Sequence, residues 1–324
     1  MNRLFQTFAE YYNRRDFRLF QNDLSKETYE SLANSYSNSH NEVKTVTDIC
    51  KILNGKRFEK LQFYSKKIHG ARSFVEFFNQ DKPVTKEMAD MAIICVATKD
   101  KNIVYEKISF VQNKKEDSNN NWKIDQDQLY LLRNFPTITG KKGLFKKNYK
   151  NEIVFLNHNE NIGTYGLFKS SGEMILANAK TIYGLQNGNK VSYDDLKKHI
   201  DTNAFRQTNS FPFFGFDHPF WDEMIYKMFK HSPKYGSPFF DLPFLNNNSN
   251  SLNIYDFIRN WTLFNIGEVC KAGGNVIDND LSVITRVFLR EAGLNDIINI
   301  ETEQNSFDNN INLLIAHLNL DDKE

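Results

Sequence analysis

Residues 86–115 read KEMADMAIICVATKDKNIVYEKISFVQNKK. Within them Met88–Ala97 is a near-continuous apolar run. Its Ile93-Ile94-Cys95-Val96 centre and its short length favour a strand buried on both faces. Asp90 stands where this run begins, and a carboxylate led into a core needs a partner or a metal. From Ile108 the pattern becomes one of alternation. Period two puts Ile108, Phe110, Gln112 and Lys114 on one face. Two core residues are thus followed by two polar ones on the same side. A strand that is apolar inward and turns polar at its end describes a site at the edge of a sheet.

Working outward, Val43, Val46, Ile49, Cys50 and Leu53 make the apolar stripe of a helix from Glu42 to Leu53, stopped by Asn54-Gly55. Leu61–Ser65 and Ser73–Phe78 read as strands, as do Ile108–Lys114, Ile153–Leu156 and Tyr165–Phe168. Asp125–Asn134 reads as a helix ended before Pro136. Helix, strands and helix followed by strand make an α/β fold. Residues 1–40 form a lead-in with a short amphipathic helix over Leu4–Tyr12, and residues 41–200 form the core. Residues 201–324 are aromatic-rich, with helical periodicity over 252–271, 279–292 and 306–319, and are expected to be a mostly helical subdomain.

Composition narrows the function classes. In 324 residues there are 41 basic and 40 acidic side chains, a formal net charge of +1, so any attraction to nucleic acid must come from local clusters. Cys50, Cys95 and Cys270 are scattered, without the spacing of a zinc site or a disulfide framework. No apolar run is long enough to span a bilayer, and the first residues lack a signal-peptide core. A cytoplasmic protein without a membrane partner is the expectation. No Walker loop and no GxSxG elbow occurs.

One carboxylate, a second oxygen donor and a lysine at converging strand ends suit metal-assisted phosphodiester hydrolysis. Mg²⁺ takes hard oxygen ligands and keeps several waters. It polarises a phosphoryl oxygen and lowers the pKa of bound water. A lysine can orient that water or stabilise developing charge.

The residues KEMADMAIICVA and ISFVQNKK resemble the D…(D/E/Q)xK signature of the PD-(D/E)XK nuclease superfamily, which includes restriction endonucleases, Holliday-junction resolvases and phage-defence effectors. The resemblance covers about a third of the chain. It implies a restriction-endonuclease-like αβββαβ core, with Asp90, Gln112 and Lys114 as catalytic residues. Asp90, Gln112 and Glu42 would hold Mg²⁺, with Mn²⁺ able to substitute, and Gln128 on the second core helix would approach the site. Two departures stand out. Ala89 rather than Pro precedes Asp90, and Gln112 replaces the usual acid, removing a negative charge from the metal site. The implied activity is endonucleolytic cleavage, of DNA, in restriction or phage defence. The implied partners are nucleic acid and a homodimer or a partner defence protein.

Two basic clusters suit phosphate contacts. Lys66, Lys67 and Arg72 precede the buried strand. The segment GKKGLFKKNYK at 140–150 carries Lys141, Lys142, Lys146 and Lys147 with interleaved aromatics. Against each functional reading stands a plainer one. Asp90 satisfies a turn, Glu42 favours a helix N-terminus through the dipole, and the lysines are solvated. Two other functions stay open: a catalytically weak nucleic-acid-binding member of the same fold, and an interaction protein acting through its aromatic C-terminal half. His218 with Asp217, Asp222 and Glu223 reads as packing or capping rather than a second metal site.

Overall fold

The computed structural model describes residues 2–68, 74–117, 119–142, 152–155, 161–200, 250–299 and 311–321. Helices α1 (Asn2–Asn13), α2 (Arg15–Ser37) and α3 (Glu42–Leu53) precede β1 (Arg57–Phe58) and β2 (Leu61–Ile68). The hairpin β3 (Phe74–Asn79) and β4 (Lys82–Glu87) leads to β5 (Met91–Lys99), β6 (Asn102–Lys115) and β7 (Asn121–Lys123). Next come α4 (Gln126–Asn134), β8 (Thr139–Gly140), β9 (Gly163–Phe168), β10 (Met174–Asn178), α5 (Ala179–Leu185) and β11 (Lys190–Ser192). The last described elements are α6 (Ile254–Thr262), β12 (Glu268–Ala272), β13 (Asn275–Val276), α7 (Asn279–Glu291) and β14 (Ile311–Asn319).

The fold is mixed α/β around a mostly antiparallel sheet. β5 is buried along nearly its whole length, as a strand covered on both faces must be. Its alternate side chains enter two separate cores. Ala92, Ile94 and Val96 pack with α4, α5 and α7. Met91, Ile93, Cys95 and Ala97 pack with α1, α2, α3 and α6. The sheet therefore lies between two layers of helices, the α4 side and the α3 side.

Across the sheet the order is β1-β2-β14-β5-β6, after which β6 forks. Its residues 105–108 pair antiparallel with β12. Its residues 110–115 pair in parallel with β9. β3, β4 and β8 form a small sheet of their own.

Several expected elements stand where the sequence places them: α3, β2, β3, β5, β6, α4 and β9. Three differ. Residues 2–37 form two helices whose Leu4, Phe8, Tyr11, Phe17, Leu24 and Leu32 belong to the core, so they are no mere lead-in. Residues 268–272 are a strand rather than part of a helix. Residues 311–319 are also a strand, antiparallel to β2 and parallel to β5. The described part of 201–324 is thus no helical unit apart, since α6 and α7 cover opposite faces of the main sheet and β14 lies inside it. The physical reason lies in INLLIAHL, apolar on both faces, where periodicity cannot separate a buried strand from a buried helix. Residues 201–249 and 300–310, and with them His218, Asp217, Asp222, Glu223 and the aromatic segment, lie outside the described residues.

Two charged residues sit wholly inside the fork of β6. Lys107 is fully buried, and its ammonium has no hydrogen-bond partner among the described residues. Burial, only partly offset by nearby Cys95, Glu268 and Cys270, pulls its pKa down to about 8. Glu106 is also fully buried. Burial pushes its carboxyl up to about 7, against the lowering influence of Ser282, Arg286 and Lys271. The folded chain thus holds a proton on Glu106 that the unfolded chain releases from about pH 4.5. Stability from this group is intact below that pH and declines as pH rises toward about 7. Glu106→Gln removes the decline. In urea titrations it should match wild type near pH 4.5 and exceed it at pH 8, by roughly 3 kcal/mol if the whole shift is expressed. A difference that does not change with pH would contradict the assignment.

Candidate functional site

The open end of the sheet forms where β5 stops and β6 continues. Met91 pairs with Val111, and β6 then runs on to Lys115. Beyond Val111 the even-numbered N–H groups of β6 face β9, as Phe110 N donates to Ile162 O and Glu116 N to Phe168 O. The odd-numbered ones face the side that β5 has vacated. Two carboxylates meet them. Asp90 Oδ2 accepts from Asn113 N at 2.7 Å, and Glu42 Oε1 accepts from Lys115 N at 2.8 Å.

Asp90 is further fixed from both sides. Its N–H donates to Val111 O, and its carbonyl accepts from the backbone and side-chain amides of Asn312 on β14. Its Oδ2 also accepts from Gln112 Nε2. A carboxylate only accepts, so the Gln112 amide must offer its nitrogen there. Its carbonyl oxygen is left buried, with no hydrogen-bond partner among the described residues.

Gln112 stands in register with Tyr165 on β9, and both project toward the α4 layer. The Tyr165 hydroxyl is buried without a partner among the described residues. Burial, reinforced by the negative charges of Asp125 and Asp90, raises its pKa, so it stays a proton donor. α4 closes the site from above. Its Asp125 caps the helix by accepting from Gln128 N at 2.9 Å and bonds Lys86 at 2.7 Å. Burial works against the Asp125 charge, yet Lys86 and the capping N–H groups hold its carboxyl below the usual range. Gln128 itself is buried, its Nε2 unpartnered among the described residues.

The two lysines at the strand end have separate tasks. Lys115 points to the α3 side, where Nζ donates to His40 O at 2.6 Å and lies 4.1 Å from the centre of the Tyr36 ring. It pins the corner between α2 and α3. Lys114 points to the other face, half-buried, with no side-chain partner among the described residues.

The structure therefore brings Asp90 and Gln112 into contact and places Lys114 one step further along the same face. Glu42 reaches the same strand end, but on the α3 side. Among the described residues no group of three His, Cys, Asp or Glu side chains stands close enough to share a metal ion. Lys66 and Lys67 diverge. The former faces Glu291 of α7, and the latter faces Cys50 of α3. Lys67 shares a row with Asn312 and Met91, about 10 Å across two strand spacings from the Asp90 end. Lys141 is paired with Glu76 at 2.7 Å, and Lys142 is exposed. Arg72, Lys146 and Lys147 lie outside the described residues.

Sequence reasoning missed Tyr165 and Asn312. Asn312 carried the same signal as Asp90, a polar residue leading an apolar run, hidden because the run was read as helix. Among protein-family models, curated proteins and solved structures, none matches this chain.

Two glycines set the spacing of the site. A Cβ on Gly166 would stand 2.3 Å from Asn113 Oδ1, and one on Gly163 would stand 2.0 Å from the Leu132 carbonyl of α4. Gly163→Ala must lift α4 off β9. We expect a loss of at least about 1–3 kcal/mol in urea unfolding. Gly184→Ala in α5, where an added Cβ meets nothing within 4 Å, should be neutral or gain about 0.5–1 kcal/mol. Equal midpoints for both variants would show that α4 is not seated against Gly163.

Proposed function

We propose that the protein is a metal-dependent phosphodiesterase acting on nucleic acid, an endonuclease, with its chemistry on Asp90, Gln112 and Lys114. The carrying observation is the direct contact of Asp90 with Gln112, beside Lys114, which has no side-chain partner among the described residues. Residues 22 apart in sequence meet there. The donor set suits a hard divalent ion. Gln112 Oε1 is a buried oxygen without a partner among the described residues, next to a carboxylate. A site with one carboxylate and one amide oxygen favours Mg²⁺ or Mn²⁺ that retains waters and also meets substrate oxygens. When bound, such an ion supplies Lewis acidity toward a phosphoryl oxygen and acidifies its water.

The chain's own groups do the rest. Asp90 is held rigid by the Asn113 and Asn312 amides, so its orientation costs nothing at the moment of reaction. Lys114 offers its donors to a non-bridging phosphate oxygen. Tyr165, kept protonated, is a second donor on the same face.

Supercoiled plasmid incubated with Mg²⁺, Mn²⁺ or EDTA tests this. Wild type should nick or linearise only with metal. Asp90→Ala and Lys114→Ala should each lose at least about 10²-fold. Gln112→Glu adds a negative charge and should lower the metal concentration needed for half-maximal rate. Undiminished cutting by both alanine variants would sink the site assignment. A second reading has its own support: Asp90 and Glu42 each satisfy a backbone N–H of β6, a role that needs no metal. Salt-sensitive binding without cleavage in any metal would favour that non-catalytic module.

A further inference from the structure

On the outer side of α4, away from Asp90, Gln112 and Lys114, lies a groove of about 660 Å³. Its size falls in the range of small-molecule sites. One face of α4 forms its floor, with Tyr130 and Arg133 on consecutive turns. Asn79 at the end of β3, Gln80 in the β3–β4 turn, Asn134 at the end of α4 and Tyr183 of α5 stand on its rim.

The lining has an unusual balance. Among the described residues it includes several amides, two tyrosines and one arginine, but no carboxylate. Arg133 has no acidic partner among the described residues, in contrast to Arg14, which is bonded by both Asp16 and Glu59. Instead its guanidinium carbon lies 3.5 Å from the centre of the Tyr183 ring. A guanidinium stacked on a ring keeps its in-plane N–H fork free for a bidentate anion. Tyr130 is itself braced, its ring stacked on Phe77 at 6.0 Å and 14°. Asn79 spends its amide N–H on Asp127 at 3.0 Å, which leaves its carbonyl as an acceptor. Gln80 and Asn134 have no side-chain partner among the described residues. Braced rings, neutral amides with both donors and acceptors, and one unspent planar cation match a flat heterocycle that carries a phosphate.

We propose that this groove binds a nucleotide, with the phosphate on Arg133 and the base among Tyr130, Tyr183 and the amides of Asn79, Gln80 and Asn134. The nucleotide comes either free or as one unit of a single strand. The site is independent of the hydrolytic reading, since none of that chemistry's residues lines it.

The test is calorimetric titration of the full chain in EDTA, so that no metal-dependent cleavage intervenes. Probes are AMP, adenosine, inorganic phosphate and a short single-stranded oligonucleotide. AMP or the oligonucleotide should bind. Adenosine and phosphate alone should bind at least about tenfold more weakly. Arg133→Ala should cost about tenfold or more, and Arg133→Lys should recover only part, with thermal midpoints unchanged. Binding of AMP assigns the free nucleotide, whereas binding of the oligonucleotide alone assigns the strand. No binding of either probe up to about 1 mM would overturn the proposal. So would affinities unaltered in both Arg133→Ala and Tyr183→Ala.

Discussion

The organisation of the site follows from an edge that would otherwise be left unsatisfied. β6 outruns β5, and the N–H groups of Asn113 and Lys115 face the side where, among the described residues, no strand continues. A half-buried backbone donor without a partner costs about 1–3 kcal/mol. Asp90 and Glu42 answer that need one N–H apiece. The same carboxylate that finishes the sheet thereby comes to rest against Gln112. A carboxylate oxygen has more than one lone pair, so Asp90 Oδ2 can satisfy the backbone N–H of Asn113 and accept from the Gln112 amide as well.

Much of this half of the molecule was legible. The helix 42–53, the buried strand after Asp90, the alternation before Lys114 and the helix 126–134 each carry a local signal that structure repeats. Even the face shared by Gln112 and Lys114 needs only period two. What was illegible is what depends on distant partners. INLLIAHL lies on both sides of a covered sheet, so it lacks the alternation that marks a strand. The fork in β6 has no local sign at all. Lys66 and Lys67 look like one basic patch, yet successive strand residues face opposite layers, and these two serve different helices. Lys114 and Lys115 pose the same puzzle, and only the seating of Lys115 on Tyr36 and His40 O separates them.

The two ends of β6 treat polarity differently. At 112–115 polar groups gather where β6 runs past β5, and Asp90 and Glu42 accept from them. At 106–107 the charges are sealed, and their pKa values move toward neutrality instead. Burial without a rigid partner changes protonation, while burial beside a fixed donor preserves charge. The first suits a core and the second suits chemistry, and one strand carries both because it crosses from the middle of the sheet to its margin.

The position of β14 has a consequence in time. It is the strand between β2 and β5, and Thr98 and His317, which bond across that junction, are 219 residues apart in sequence. Contacts of such separation form late, since the closure entropy of a long loop must be met before they repay it. While a ribosome is still extending the chain, β2 and β5 can be present with a gap between them. Asp90 would then lack the amides of Asn312 that hold it. The order in which the polypeptide is synthesised thus delays assembly of the constellation until β14 has emerged.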